Sequence, residues 1–449
     1  MKHLLTLLGT GSLLAVAACN NASRNNAADS TVVADRGDTT GNIVDTTDLP
    51  APYATKSVKN YSEVLGWPAD KKPVPPAGFT VTKFSDSLIN PRWIYIAPNG
   101  DVLVAEANTR MGPIERVKSI ATGKEQSGYE TSSADRITLF RDTTKDGVPD
   151  LRTIFMDDLD QPFGMLILDD KFYVANTGEL LVFPYQQGQT SISGKGKKIL
   201  DLPKGGYNNH WTRNIIASAD GSKIYIAVGS ASNAAEHGMK EEVRRANILE
   251  INPDGSGERV YASGLRNPVG MDWAPGTNVL WTVVNERDEL GDHLVPDYLT
   301  HVEPGGFYGW PYSYFGGHID PQVKVTPRPD LVSQALVPDV PLPSHTASLG
   351  LTFYDGSTFP DRYRSGAFIG QRGSWNSSVL AGYKVVFVPF SNGQPAGPPE
   401  NFLTGFIADS ADARVYGRPV GVAVAADGAL LVADDAGNTV WRVSHTSNN

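Results

Sequence analysis

Residues 91–108 read PRWIYIAPNGDVLVAEAN, and residues 418–435 read RPVGVAVAADGALLVADD. Each stretch opens on Pro or Arg, alternates apolar residues, turns on Asn99-Gly100 or Asp427-Gly428, and returns through a second apolar run. Period-two patterning around a two-residue turn that tolerates positive φ specifies a β-hairpin. The unit recurs with turns at Asp169-Asp170 (Gln161 to Thr177), Asp220-Gly221 (Arg213 to Ser230), Pro275-Gly276 (Arg266 to Glu286) and Asp355-Gly356 (Ser348 to Trp375), which makes six copies.

No hairpin buries its apolar face alone, and intervals of roughly 50 to 80 residues leave room for two more strands per copy. The sequence therefore predicts an all-β fold, a six-bladed β-propeller with four-stranded blades. Gly78 to Thr82 is the apolar stretch able to close the ring on Thr439 to Val443. The high content of turn formers, 45 Gly and 31 Pro in 449 residues, suits many short strands.

Charge and cysteine content narrow the function. Lys plus Arg number 39 against 49 Asp plus Glu, a net charge of -10, which excludes a general nucleic-acid binder. A single cysteine excludes a disulfide framework and any multi-cysteine metal site. That cysteine sits in an export signal: Lys2 and His3 precede an apolar run from Leu4 to Val16, and Val16-Ala17-Ala18-Cys19 matches the bacterial lipobox. The expected organisation is a lipoprotein signal at 1–19 with lipidation on Cys19, a flexible polar tether at 20–60, and a propeller domain at 61–449. The expected location is the bacterial cell envelope, facing the periplasm and held to the membrane by the lipid anchor only. Asn20 after the cysteine favours the outer membrane.

In a propeller the loops entering the innermost strands converge over the channel. Here those positions carry Arg92, His210 with Arg213, Arg266 with Asn267, and Arg418. Arginines sharing one funnel repel each other unless an anion sits among them, so a polyanionic ligand or cofactor is expected.

Three motifs give this expectation a family. The stretches Asn209-His210-Trp211-Thr212-Arg213-Asn214, Gly264-Leu265-Arg266-Asn267-Pro268 and Gly305-Gly306-Phe307-Tyr308-Gly309-Trp310-Pro311 resemble the glucose/sorbosone dehydrogenase family, most closely its sorbosone branch. Those are soluble-type quinoproteins, six-bladed propellers that use pyrroloquinoline quinone (PQQ) and calcium. The resemblance implies oxidation of an aldose or sugar-derived aldehyde, with His210 as general base and Arg266 beside the quinone. It also implies that Asn267, Arg372, Arg418 and Trp375 bind the cofactor. Calcium would be held by the segment of Glu286, Arg287 and Asp288, partly through backbone carbonyls. Electrons would leave to a separate acceptor, a cytochrome or a quinone, since no C-x-x-C-H haem motif is present.

Departures are also visible. Val269 and Asn209 stand where the soluble glucose enzymes carry Gln and Asp, so glucose specificity does not transfer, and His345 with the insertion around it suggests a different substrate rim. Asp142 to Asp150 reads as a β-turn in preference to a calcium loop, and Asn376 is a formal glycosylation acceptor. Two other functions are compatible with a propeller: a calcium-dependent lactonase, which the Arg-rich repeat starts disfavour, and a non-catalytic binding protein that has lost the cofactor.

Overall fold

The computed structural model describes residues 49–128 and 132–446. The signal, the lipobox with Cys19 and most of the expected tether lie outside the described residues. No helix among the described residues is long and apolar enough to cross a membrane.

Six four-stranded antiparallel sheets make up the body of the described chain. Their first strands are Pro91–Ile96, Met165–Leu168, Ile215–Ala217, Pro268–Trp273, Ser348–Phe353 and Pro419–Val424. Five sheets run outward in simple sequence order. The last takes its fourth strand from the other end of the domain: Phe79–Ser85 pairs with Thr439–His445 in the register Val81↔Val443. The closing strand expected from sequence is therefore present, and it ties the start of the domain to its end.

The alternation read in the hairpins becomes two-sided burial, because each sheet packs against neighbours on both faces. Trp93, Phe163, Trp211, Val269, Leu349 and Val420, which open the six repeats, belong to one buried cluster. Just beyond this plug the first strands come very close. A Cβ on Gly164 would lie 2.6 Å from the Ile215 backbone nitrogen, and one on Gly350 would collide with the Val420 carbonyl. Polar links stitch successive sheets: Tyr95 to Ile167, Gly164 to Arg213, Trp273 to Ala217, Asp272 to Phe353, Tyr354 to Gly428, and Asn90 back to Asp435. This is a propeller architecture.

Two features depart from the sequence reading. The tether, expected to reach residue 60, is already docked from Leu49 onward. Tyr53 donates its N–H to the Leu290 carbonyl (2.8 Å), Asn60 to that of Trp375 (2.8 Å), and Trp67 Nε1 to Asp434 (2.6 Å). Apolar Leu49, Tyr53, Tyr61 and Trp67 are spread thinly among polar residues, so composition hid a strap.

An α-helix, Pro113–Thr122, is inserted between two strands of the first sheet. It buries Ser119 and leaves Ile114, Val117 and Ile120 exposed. The Asp142 loop is a turn as read: its carboxylate accepts the N–H groups of Lys145 (2.6 Å) and Gly147 (2.7 Å).

Candidate functional site

The loops entering the first strands, together with the strap, enclose a cavity of about 330 Å³, the size of a small-molecule site. Of the residues singled out from sequence, Arg92, Asn209, His210, Arg266, Asn267, Asp288, His345, Arg372 and Trp375 line it. Glu286, Arg287 and Arg418 do not: all three are buried behind its walls. Tyr61, Lys124, Tyr207, Glu236 and Glu289, none of them singled out from sequence, line it as well.

His210 follows Asn208-Asn209 and precedes a strand of the third sheet. Its loop is held by Arg213, fully buried, which donates to the carbonyls of His210 (2.8 Å), Thr212 (2.9 Å) and Pro203 (2.6 Å). His210 Nδ1 lies 2.8 Å from the Ser230 carbonyl and 3.0 Å from Ser230 Oγ. A carbonyl only accepts, so Nδ1 carries the proton and Nε2 keeps a lone pair. The Ser230 hydroxyl donates onward to the Ser232 carbonyl (2.6 Å), leaving its own lone pair for Nδ1. Buried Glu242 fixes that loop by accepting the N–H groups of Ala231 (2.7 Å) and Ser232 (3.1 Å). Burial, then the positive charge of Arg266, holds the imidazole pKa well below its ordinary value. His210 is a neutral base at physiological pH, and its tautomer is fixed.

Arg266 spends its donors inside the protein. Nη1 reaches the carbonyls of Asn285 (3.0 Å) and Glu286 (2.6 Å), and Nη2 reaches Asn233 Oδ1 (2.9 Å) and Asp288 Oδ2 (3.5 Å). Asn233 is itself anchored by Trp310, whose Nε1 donates to the Asn233 carbonyl at 3.0 Å. The Gly305–Pro311 motif thus buttresses the arginine and does not line the cavity.

Asp288 also binds His345, whose Nδ1 lies 3.0 Å from its carboxylate while Nε2 lies 2.8 Å from the Gly291 carbonyl. Burial would depress the His345 pKa, but the Asp288 contact raises it, and the same contact together with Arg266 holds Asp288 low against burial. His345 lines the cavity, as the sequence suggested, and is held there as a buried clamp between Asp288 and the Gly291 carbonyl. Beside it, burial raises Glu286 to about 7 and Asp297 to about 6.

A second carboxylate organises the opposite wall. Buried Asp435 accepts from Arg92 Nη1 and from Arg372 Nε (2.6 Å), and these arginines, with Arg418, hold its pKa low against burial. Arg92 lies over the Trp211 ring at 5.4 Å. Arg418 donates to the carbonyls of Arg372 (3.1 Å) and Gly373 (2.9 Å), so it supports the Arg372 loop from behind. Asp435 was not anticipated, and it corrects the expectation that only an anionic ligand relieves the repulsion between these arginines.

The strap completes the rim. Tyr61 stacks on Trp375 with ring centroids 5.8 Å apart and planes 9° from parallel. Asn376 bolts the strap to the Asp288 loop. Its Oδ1 accepts the Glu289 N–H (2.8 Å), and its Nδ2 donates to Ser57 Oγ (2.9 Å) and the Val58 carbonyl (2.8 Å). Arg287 turns away to Asp320 (3.3 Å) and Gln322 (2.7 Å).

Fold and cavity define the class: a β-propeller with a cationic, small-molecule cavity at the mouth of its channel. Solved propellers share the fold. A calcium structure of the family AA12 carbohydrate-active enzyme of Trichoderma reesei is 18% identical, covers 86% of this chain and 99% of that one, and has a TM-score of 0.67. The holo PQQ domain of pyranose dehydrogenase from Coprinopsis cinerea is 20% identical, covers 86% and 100%, and has a TM-score of 0.66. The resemblance to the PQQ-type sugar dehydrogenases therefore extends from motifs to fold.

By sequence, the chain belongs to the family described as a domain of unknown function (DUF7133), whose model matches residues 76–439. An uncharacterized protein of Borreliella burgdorferi is 32% identical over 296 residues, 64% of this chain and 76% of its own length.

Proposed function

We propose that the protein is a PQQ- and calcium-dependent dehydrogenase of aldoses or sugar-derived aldehydes such as sorbosone. In this reading the six sheets are the blades of one ring, and a lipid on Cys19 holds the domain at the periplasmic face of the envelope. The observation that carries the reading is the pairing, in one cavity, of a neutral tautomer-fixed histidine with a wall of Arg92, Lys124 and Arg372. The pyranose dehydrogenase PQQ domain and the AA12 calcium structure support the choice of cofactor and metal.

The residues present fit both groups. Arg92, Lys124 and Arg372 would bind the cofactor carboxylates, and Trp375 with Tyr61 offers a flat wall for its rings. Among the described residues no group of three His, Cys, Asp or Glu side chains could hold a metal. The protein's share of a calcium would therefore be the carbonyl oxygens of Asn285 to Asp288. The carbonyls of Asn285 and Glu286 each retain a second lone pair beside the bond to Arg266, as does that of Asp288 beside its bond to Asn233 Nδ2. When bound, PQQ supplies a two-electron acceptor for hydride.

The chain's own part is proton transfer and positioning. His210 Nε2 accepts the proton of the anomeric hydroxyl as its carbon gives up hydride, and the aldose leaves as a lactone. Nδ1–H, held on the Ser230 carbonyl, keeps the ring aimed and stabilises the imidazolium that forms. Arg266, fixed by Asp288 and Asn233, would supply the positive charge that stabilises a reduced acceptor. A separate cytochrome or quinone would take the electrons on.

Loading the full chain with PQQ and calcium and following dye reduction with aldoses and sorbosone tests the proposal. Sugar-dependent reduction that is lost in His210→Ala is expected. Absence of PQQ binding by the folded protein would refute it.

A further inference from the structure

The side of the cavity around His210 carries chemistry of the opposite sign from the Arg92 and Arg372 wall. Asn267 Oδ1 is buried and has no hydrogen-bond partner among the described residues; Asn267 is only 4% exposed and lines the cavity. It sits against His210, because a Cβ built on Gly229 would meet both Asn267 Oδ1 and His210 Cβ. His210 Nε2 is a second acceptor, by the tautomer argument above.

The Glu289 and Glu236 carboxylates line the same side and flank Tyr207, whose hydroxyl pKa is raised by burial and then by Glu236, Glu115 and Glu289. Glu236 accepts two backbone N–H groups, from Asn233 (3.2 Å) and Ala234 (2.7 Å), which keeps it ionised. Among the described residues the hydrogen bonds of Glu289 run through its backbone, to Asn376 and Gln322. The one guanidinium on this side, Arg266, directs its donors to Asn285, Glu286, Asn233 and Asp288.

An orphaned buried acceptor costs free energy until a donor reaches it. Two carboxylates lining the mouth also disfavour a negative charge and favour a positive one. We infer that the substrate half of this cavity is built for donor-rich, uncharged or cationic sugars, that it accepts 2-amino-2-deoxyaldoses in protonated form, and that it rejects uronic acids and sugar phosphates. Glu289 is the residue that sets this discrimination. The inference rests on the proposed sugar dehydrogenase reading for the identity of the reaction but not for the sign of the charge preference.

The test compares glucose, protonated glucosamine and glucuronate on the full chain and on Glu289→Gln, at low and high salt. With PQQ and calcium bound, kcat/KM for glucuronate is expected to lie at least about tenfold below that for glucose, with glucosamine equal to or above glucose. Glu289→Gln is expected to lower the glucosamine-to-glucuronate ratio about three- to tenfold, and salt to shrink the difference. The same ratio is read on cofactor-free protein from saturation-transfer binding, so failure to bind PQQ leaves the charge test intact. A ratio unchanged by Glu289→Gln in both assays, or glucuronate used as well as glucose, would overturn the inference.

Discussion

The two walls of the cavity are each organised by one buried carboxylate, in different ways. Asp435 accepts from Arg92 Nη1 and Arg372 Nε, and both arginines line the cavity. Asp288 is enclosed with Arg266, His345 and Asn233 in a closed set of bonds whose donors are consumed internally. The first arrangement presents positive charge, and the second stiffens a loop while leaving acceptors at its edge. One cavity is thereby divided between an anionic ligand and a hydroxyl-bearing one. That division suits a carboxylated cofactor facing a sugar.

The sharpest way to break this division is His210→Ala. Turnover should fall about 10²- to 10⁴-fold while PQQ binding, read by absorbance, persists. The His210 pKa is depressed in the folded protein, so Nε2 is unprotonated at neutral pH and gains a proton only on acidification. The acid limb of kcat/KM should therefore lie well below pH 6.5, and a limb above that value would contradict the tautomer and burial argument.

Asp435→Asn removes a buried counter-charge from two arginines and should cost about 3–5 kcal/mol in denaturant unfolding, with part of the loss restored by PQQ. Its pKa is depressed, so the stabilisation is present above the ordinary carboxylate range and disappears as pH falls through the lower folded value. Arg372→Gln should weaken PQQ binding about 10- to 100-fold and destabilise the fold less than Asp435→Asn does, since Arg92 remains on Asp435. Tyr61→Leu should weaken PQQ binding about three- to tenfold, through loss of the stacked pair with Trp375. The smallest effect is expected from Asp142→Ala, which opens a surface turn. It should lower Tm less than Asp435→Asn does and leave PQQ affinity unchanged.

Much of the fold was legible because its signals are local. The hairpins needed only alternation and turn residues, and the closing strand needed only an unpaired apolar run before the first repeat. The cavity was half legible, since repeat starts fall on converging loops and carried His210, Arg266 and Asn267 with them.

The rest depends on contacts that no spacing announces. Asp435 meets Arg92 across 343 positions of sequence. Asn376 looked like a glycosylation acceptor and proved to be a buried bolt between strap and loop. Arg418 was read as a ligand of cofactor carboxylates, yet it donates to the carbonyls of Ser127, Arg372 and Gly373. Charge type is readable from sequence, but which way a guanidinium turns is decided by the carbonyls the fold places beside it.

The most direct measurement is an absorbance titration of the full chain with PQQ in the presence of calcium, followed by addition of an aldose. One PQQ per chain, bound more weakly by Arg372→Gln and reduced by sugar in the wild type but not in His210→Ala, is the predicted result. A correctly folded chain that binds no PQQ, or one whose bound PQQ is reduced equally fast without His210, would contradict the account.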